Sequence, residues 1–284
     1  MAKKAYLGVN GVARQVKKMY FGISNTARKV KKGYIGVGGV ARPFFSSEEV
    51  EYYGAVTELS AARTRLVATT VGDYALFGGG QSSATTYSNA VDAYNTGLVR
   101  STPTALSAAR RYLAATTVGD YALFGGGYTS SGPSTIVDAY NLSLTRSTPT
   151  ALSAARSSLA AATVGDYALF GGGSASTAPS TIVDAYNTGL VRSTPTALSV
   201  ARTDVAVVST GNYALFGGGA SSSDVTAVVD AYNVSLTRST PNALSAARTG
   251  LAAAIIGDYA LFGGGGIESS STYSAVVDAY MVNN

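Results

Sequence analysis

The chain has 284 residues, of which 46% are hydrophobic and 13% charged, and its formal net charge is +5. It contains 33 glycines but no cysteine and no histidine. This composition excludes disulfides, thiolate and imidazole chemistry and the usual zinc, copper or iron sites, and it predicts an all-β protein without a metal or other cofactor.

The net charge conceals two different segments. Residues 1–46 contain ten Lys or Arg and no acid, whereas residues 47–284 contain eleven Arg, no Lys and sixteen acids. We therefore expect two domains, 1–46 and 47–284. No long apolar stretch follows Lys3 and Lys4, so the sequence predicts neither a signal peptide nor membrane insertion.

The basic segment contains a short repeat with a period of 14 residues, marked by Tyr6, Tyr20 and Tyr34. The first unit is typical of a β-hairpin, because strand-like residues 6–9 and 12–16 flank Asn10-Gly11, a strong turn signal. Isolated hairpins are marginally stable, so this module needs another copy or a larger assembly to cover its apolar face. We expect it to serve attachment and oligomerisation, in a homo-oligomer.

The lysine pairs at 17–18 and 31–32 fall between the hairpins. Nucleic-acid binding would favour a continuous basic stripe along one face, which this spacing does not give. Protection of strand edges and solubility is the interpretation that we favour, with no nucleic-acid partner.

The second segment contains one nine-residue block in five copies, at 72–80, 119–127, 165–173, 211–219 and 257–265. Four copies are identical, and the fourth along the chain differs only at Asn212. The block tyrosines are 46 or 47 residues apart. A period of this length indicates one supersecondary unit copied in tandem.

The second copy shows the content of one unit. Strand-like residues 113–118, 121–126, 136–141 and 144–149 are separated by turn-rich residues. Four antiparallel strands repeated in this way predict the blade of a β-propeller. The fifth unit ends before its fourth strand, so we expect a strand at 50–56 to complete the fifth blade and close the ring.

These units resemble Kelch repeats. The resemblance rests on a leading arginine, an aromatic strand that ends in a glycine pair, and a third strand with tyrosine, as in Arg110, Tyr121, Gly125-Gly126 and Tyr140. The chain departs from the family in having five units and no tryptophan, near whose usual place it has Arg100, Arg146, Arg192 and Arg238. The resemblance implies a binding scaffold. One family member has copper chemistry, but that chemistry needs His and Cys, which this chain lacks, so it does not carry over.

The short N-terminal units, with their Tyr-x-Gly-Val and Ala-Arg elements, resemble repeats of tail-associated proteins of phages and prophages. This resemblance implies a virion location and a role for residues 1–46 in contacting other tail, baseplate or capsid proteins.

The five copies differ mainly at two places. One is the loop after each glycine run, and the other is the residue pair after each leading arginine. In a four-stranded meander both lie on one face, which favours a binding surface, although unconstrained loops also diverge. The predicted ligand-binding residues are Arg65, Tyr87, Tyr112, Tyr128, Asp204, Asp224, Glu268 and Tyr273.

Each copy also contains one arginine and one aspartate at constant positions, and we do not interpret these as ligand-binding residues. Five identical catalytic sites on one ring would be odd, so we expect these residues to be structural and to pair between strands or blades. They are Arg63, Arg110, Arg156, Arg202 and Arg248 with Asp92, Asp138, Asp184, Asp230 and Asp278.

The sequence therefore predicts a non-enzymatic structural and recognition protein of a virus particle. The hairpin module would attach it, and the propeller would bind a glycan or protein of the host surface. The alternative is a free-standing lectin-like or protein-binding propeller in the bacterial cytoplasm or at the cell surface.

Overall fold

A computed structural model describes residues 6–9, 12–15, 20–23, 26–29, 32–37, 40–46, 54–267 and 272–282. The chain divides into two compact units, residues 1–55 and 56–284, whereas the charge pattern of the sequence predicts a boundary at 46/47. Every regular element among the described residues is a β-strand, so the all-β prediction is confirmed. None of these residues belongs to a helix that could cross a membrane.

The first unit contains three antiparallel hairpins. Their strands are Tyr6–Val9 with Val12–Gln15, Tyr20–Ile23 with Thr26–Lys29, and Lys32–Val37 with Val40–Ser46. The register of the first hairpin places Val9 opposite Val12. The turn residues that were predicted at 10–11 lie outside the described residues.

The second unit contains five antiparallel sheets, named here sheets one to five in chain order. Their first strands are Val67–Val71, Ala114–Val118, Ala160–Val164, Ala206–Ser209 and Ala252–Ile256. The second strands are Tyr74–Gly78, Tyr121–Gly125, Tyr167–Gly171, Tyr213–Gly217 and Tyr259–Gly263. The third strands are Val91–Asn95, Val137–Asn141, Val183–Asn187, Val229–Asn233 and Val277–Met281.

Fourth strands complete sheets one to four but are shorter than expected. They are Arg100–Ser101, Arg146–Ser147, Arg192–Ser193 and Arg238–Ser239, where the sequence predicted six residues in the second copy. Two-stranded ribbons follow the glycine runs of sheets two and three, Tyr128–Thr129 with Gly132–Pro133 and Ser174–Ala175 with Ala178–Pro179.

The core lies between neighbouring sheets. Phe170 of sheet three is fully buried, lies edge-on to Tyr186 of its own sheet at 5.9 Å between ring centroids, and packs against Gly125 of sheet two. A Cβ on Gly125 would lie 2.6 Å from this ring, so the glycine is required for the close approach. The same glycine–phenylalanine contact joins each of sheets one to four to the next sheet.

Sheet five differs from the other four on its outward face. Val277 is 60% exposed, although its counterparts Val91, Val137, Val183 and Val229 are at most 2% exposed. Gly263 faces no phenylalanine, and Phe77 of sheet one is only half-buried. Ring closure is therefore not seen among the described residues.

The strand that was predicted at 50–56 lies in part outside the described residues. Residues 50–53 are not described, and Gly54–Val56 belong to no strand. Sheet five accordingly has three strands among the described residues. Its completion by this segment stays a prediction.

Buried ion pairs hold each sheet to the segment that precedes it. Arg110 donates to the carboxylate of Asp138 at 2.5 Å and to the carbonyls of Gly126 and Ile136 at 2.7 Å, with both side chains of the ion pair inaccessible to water. The five pairs are Arg63–Asp92, Arg110–Asp138, Arg156–Asp184, Arg202–Asp230 and Arg248–Asp278. These residues form part of the scaffold in the structure.

The buried tyrosines of the third strands make the unit sensitive to alkaline pH. Burial, and secondly the nearby aspartate, raise the pKa of Tyr140, Tyr186 and Tyr232 well above its ordinary value, and that of Tyr280 to about 12. The unfolded chain ionises these groups near pH 10, so their stabilising contribution is complete below pH 10 and is lost as the pH rises toward the folded pKa.

We therefore expect unfolding between about pH 10 and 12, with each fully buried tyrosine costing about 1.4 kcal/mol per pH unit. Tyrosinate absorbance, followed together with circular dichroism, should report ionisation and unfolding in one step. Tyr140→Phe should make the pH dependence shallower. Ionisation of these tyrosines in the folded protein at pH 10 would contradict the prediction.

Candidate binding site

A cavity of about 470 Å³ is lined by the same repeat position in all five copies. This position directly follows the residue that bridges to the glycine-run loop, and a Leu or Val comes next in every copy. The five residues, named here the ring residues, are Arg65, Tyr112, Ser158, Asp204 and Gly250. Five related backbones thus surround one cavity with five different side chains.

The backbone at the ring residues has a conformation that favours glycine. The φ angles of Arg65, Tyr112, Ser158 and Asp204 lie between 51° and 57°, and that of Gly250 is 62°. A side chain in this region costs about 1–2 kcal/mol. This backbone conformation also lets the N–H of Ser158 donate a hydrogen bond to the carbonyl of Tyr112, with 2.9 Å between nitrogen and oxygen.

Positive φ alone does not indicate function in this protein. Leu98, Leu144, Leu190 and Leu236 have similar angles of 58–60° in tight turns, but these leucines are identical in the first four copies. The ring residues differ in every copy. The unfavourable free energy of their positive φ therefore occurs at positions where the side chain is not constrained by the repeat.

A cluster of tyrosines surrounds Arg111 beside the cavity. The guanidinium carbon of Arg111 lies 4.7 Å from the ring centroid of Tyr87, 5.1 Å from that of Tyr112 and 5.7 Å from that of Tyr128. The rings of Tyr87 and Tyr128 meet edge-on at 6.5 Å. The tyrosines therefore form an aromatic enclosure around one cation.

A second arginine joins this group through Gln81. The amide oxygen Oε1 of Gln81 accepts hydrogen bonds from Nη1 of Arg111 at 2.6 Å and from Nη1 of Arg65 at 3.2 Å. The guanidinium of Arg65 also lies 4.7 Å from the ring centroid of Tyr112. We call these six residues the arginine–tyrosine cluster: Arg65, Gln81, Tyr87, Arg111, Tyr112 and Tyr128.

The two arginines of the cluster differ from the other nine arginines of residues 54–267 in having no aspartate partner among the described residues. Each of those nine forms an ion pair with an aspartate. Neither Arg65 nor Arg111 forms an ion pair with any described residue. The cluster therefore concentrates positive charge at the edge of the cavity.

The structure brings together five of the eight predicted binding residues. Arg65, Tyr87, Tyr112 and Tyr128 belong to the cluster, and Asp204 lines the adjoining cavity. Because β-bridges link the loop after each glycine run to the residue that precedes each ring residue, both variable positions lie close together here.

Three predicted residues are placed elsewhere or are not described. Asp224 accepts hydrogen bonds within its own exposed turn, and Tyr273 is 82% exposed with no aromatic contact to the cluster. Glu268 lies outside the described residues. The described part of the chain contains no group of three or more acidic residues that could hold a metal ion.

Sequence reasoning did not select Arg111, Gln81 or Ser158 as binding residues. A signal for Arg111 was available, because its counterparts are Thr64, Ser157, Thr203 and Thr249, all small and uncharged. Gln81 also differs from its counterparts Tyr128, Ser174, Ala220 and Gly266, but the sequence does not show that it contacts two arginines from different copies.

Comparison with known proteins shows the fold only. No protein-family model matches the chain, and no curated protein sequence is similar to it. The solved structure of the bacterial protein YjhT is similar with a TM-score of 0.60 and 13% identity, over 74% of this chain and 75% of that one. Together with the repeated four-stranded sheets, this likeness shows an all-β, β-propeller-like fold.

Proposed function

We propose that this protein is a non-enzymatic recognition protein whose propeller-like unit binds a surface ligand at the ring residues and the arginine–tyrosine cluster. The observation that carries the proposal is the charge of Arg65 and Arg111 among three tyrosines, which no described carboxylate pairs with, at positions where the copies differ. Tyrosine offers an apolar face and a hydroxyl group at small entropic cost, which suits binding of sugars or protein surfaces.

We further propose that the protein belongs to a virus particle. Residues 1–46 would contact other tail, baseplate or capsid proteins, and the second unit would contact the host. The resemblance of the N-terminal repeats to those of phage tail-associated proteins supports this assignment. An apolar hairpin face also needs a partner.

For the fold, we propose a five-bladed, Kelch-like propeller in which strand 50–56 completes sheet five and closes the ring. Two half-covered surfaces support closure. Sheet five exposes Ile256, Val277 and Met281, and sheet one leaves Phe77 half-buried. These surfaces correspond to the two sides of the junction that is repeated between the other sheets, and soluble proteins seldom leave such apolar area uncovered.

Replacement of Tyr112 by alanine should test the binding function. We expect about a tenfold or greater loss of binding to host cells, because the residue contacts both arginines and lines the cavity. Tyr273→Ala is the matched control, since Tyr273 is exposed outside the cluster. Equal binding by both variants and the unchanged protein, measured with a fluorescently labelled full-length chain, would argue against this site.

Deletion of residues 1–46 should test the attachment role. We expect the shortened chain to be lost from purified particles while its second unit remains folded, as judged by circular dichroism. Incorporation at the normal level would exclude attachment through this module. Absence of even the full chain from particles would favour the alternative, a free-standing lectin-like or protein-binding propeller.

A further inference from the structure

Two guanidinium groups of the cluster share one neutral acceptor. Arg65 and Arg111 both donate to Oε1 of Gln81, and no described carboxylate forms an ion pair with either. Like charges that approach one oxygen repel each other, and the repulsion is relieved when an anion joins them. The cluster therefore lacks an anionic group that the other arginines of this unit possess.

The guanidiniums retain donors for such a group. A guanidinium has five N–H donors, and only Nη1 of each of these arginines hydrogen-bonds to a described residue. Nη2 of both side chains is without a hydrogen bond to the described part of the chain. Paired guanidinium donors match the geometry of a carboxylate or a sulfate.

The adjoining cavity, unlike the cluster, is lined by a carboxylate, that of Asp204. It is lined by Ser158 and Asp204 as well as by Arg65 and Tyr112, and by six Leu or Val residues, and its volume of about 470 Å³ is within the range of small-molecule sites. A ligand with several acidic groups would meet repulsion from Asp204. A ligand with one acidic group and several hydroxyls could direct the acid to the arginines and the hydroxyls to Ser158 and Asp204.

We propose that the arginine–tyrosine cluster binds the acidic group of an anionic sugar, a hydroxylated ring that carries one carboxylate or sulfate. The tyrosine rings would contact the apolar face of the sugar. This assignment rests on the proposed function and adds the class of its ligand. An acidic peptide is the competing class, and it is less suited to a cavity that also contains Asp204.

The test uses the full chain and matched probes in titration calorimetry. The probes are the methyl glycosides of galacturonate, glucuronate and mannuronate, the methyl esters of the same sugars, galactose 6-sulfate and polyglutamate. We expect at least one acidic sugar to bind, its neutral form to bind about tenfold or more weakly, and its affinity to fall with added salt.

Charge-removing variants identify the site. Arg65→Gln and Arg111→Gln should each weaken binding of the acidic sugar about tenfold or more. Arg100→Gln, which removes the same charge from a partly exposed arginine paired with Asp92, should leave it unchanged. Arg65 is exposed, so its variant remains informative even if Arg111→Gln does not fold.

Several results would overturn the inference. Equal affinity for the acidic sugar and its ester would exclude the anion site, and binding of polyglutamate alone would exclude the sugar class. Binding to none of the probes would also reject it. The proposed function would survive any of these if Tyr112→Ala still lowered binding to host cells, and would fail if that variant bound normally.

Discussion

Replacement of Arg156 by methionine is expected to lower the free energy of unfolding of the second unit by about 3–5 kcal/mol. Arg156 is fully buried, pairs with Asp184, and donates to the carbonyls of Gly172 and Ile182 at 2.7 and 2.8 Å. The variant leaves the buried carboxylate without its main counter-charge and the carbonyl of Gly172 without a described donor, whereas the carbonyl of Ile182 still accepts from the N–H of Gly172 at 3.0 Å. Urea unfolding followed by circular dichroism measures the loss.

Arg192→Met is the matched control, because it removes a second arginine from the same aspartate. Arg192 lies 3.1 Å from Oδ1 of Asp184, but its side chain is 26% exposed. We expect a loss of about 1 kcal/mol or less, since water replaces this partner readily. Equal losses for the two variants would show that burial does not determine the importance of these pairs.

Replacement of Gly171 by alanine is expected to destabilise the second unit by about 1–3 kcal/mol. The added Cβ would lie 2.7 Å from Cε1 of Phe216 in the next sheet, so the two sheets would have to separate. Gly189→Ala is the control for a general effect of replacing glycine. Its Cβ would meet only Oδ1 of Asn187 at 3.4 Å, and we expect a change within about 0.5 kcal/mol.

The same substitution in sheet five tests ring closure. In the structure a Cβ on Gly263 would meet only Val277 of its own sheet, at 3.4 Å. If the proposed closure brings Phe77 against this position, Gly263→Ala should cost as much as Gly171→Ala. A change as small as that of Gly189→Ala in the same urea experiment would argue against closure and leave this face uncovered.

Much of the architecture could be predicted from the sequence, because five copies of one block reveal their own period. The second strand of every sheet lies within the repeated nine residues, and the first and third strands begin within one residue of those predicted in the second copy. The fourth strands were predicted too long, since only two residues, such as Arg146 and Ser147, pair with the third strand. Edge residues have one neighbouring strand, so composition constrains their length weakly.

The candidate site could be predicted in part from differences between the copies. Arg65, Tyr112 and Asp204 were selected because they vary where the scaffold does not, and they line one cavity. Tyr273 varies equally but lies outside the cluster. Sequence differences between the copies identify positions that the scaffold leaves unconstrained, but they do not show which of these positions are in contact in the folded protein.

The sequence by itself determined the repeat, the all-β class and the separation of constant from variable positions, because periodicity and hydrophobic pattern are local properties of the chain. Only the tertiary structure decided which charges are neutralised. Eleven arginines follow residue 47, and the repeat separates the nine at constant positions from Arg65 and Arg111 at variable ones, but it does not show that, among the described residues, only the nine meet aspartates. Their difference arises because sheets from separate copies place two guanidiniums on one glutamine oxygen, at long sequence separation and without a described carboxylate partner.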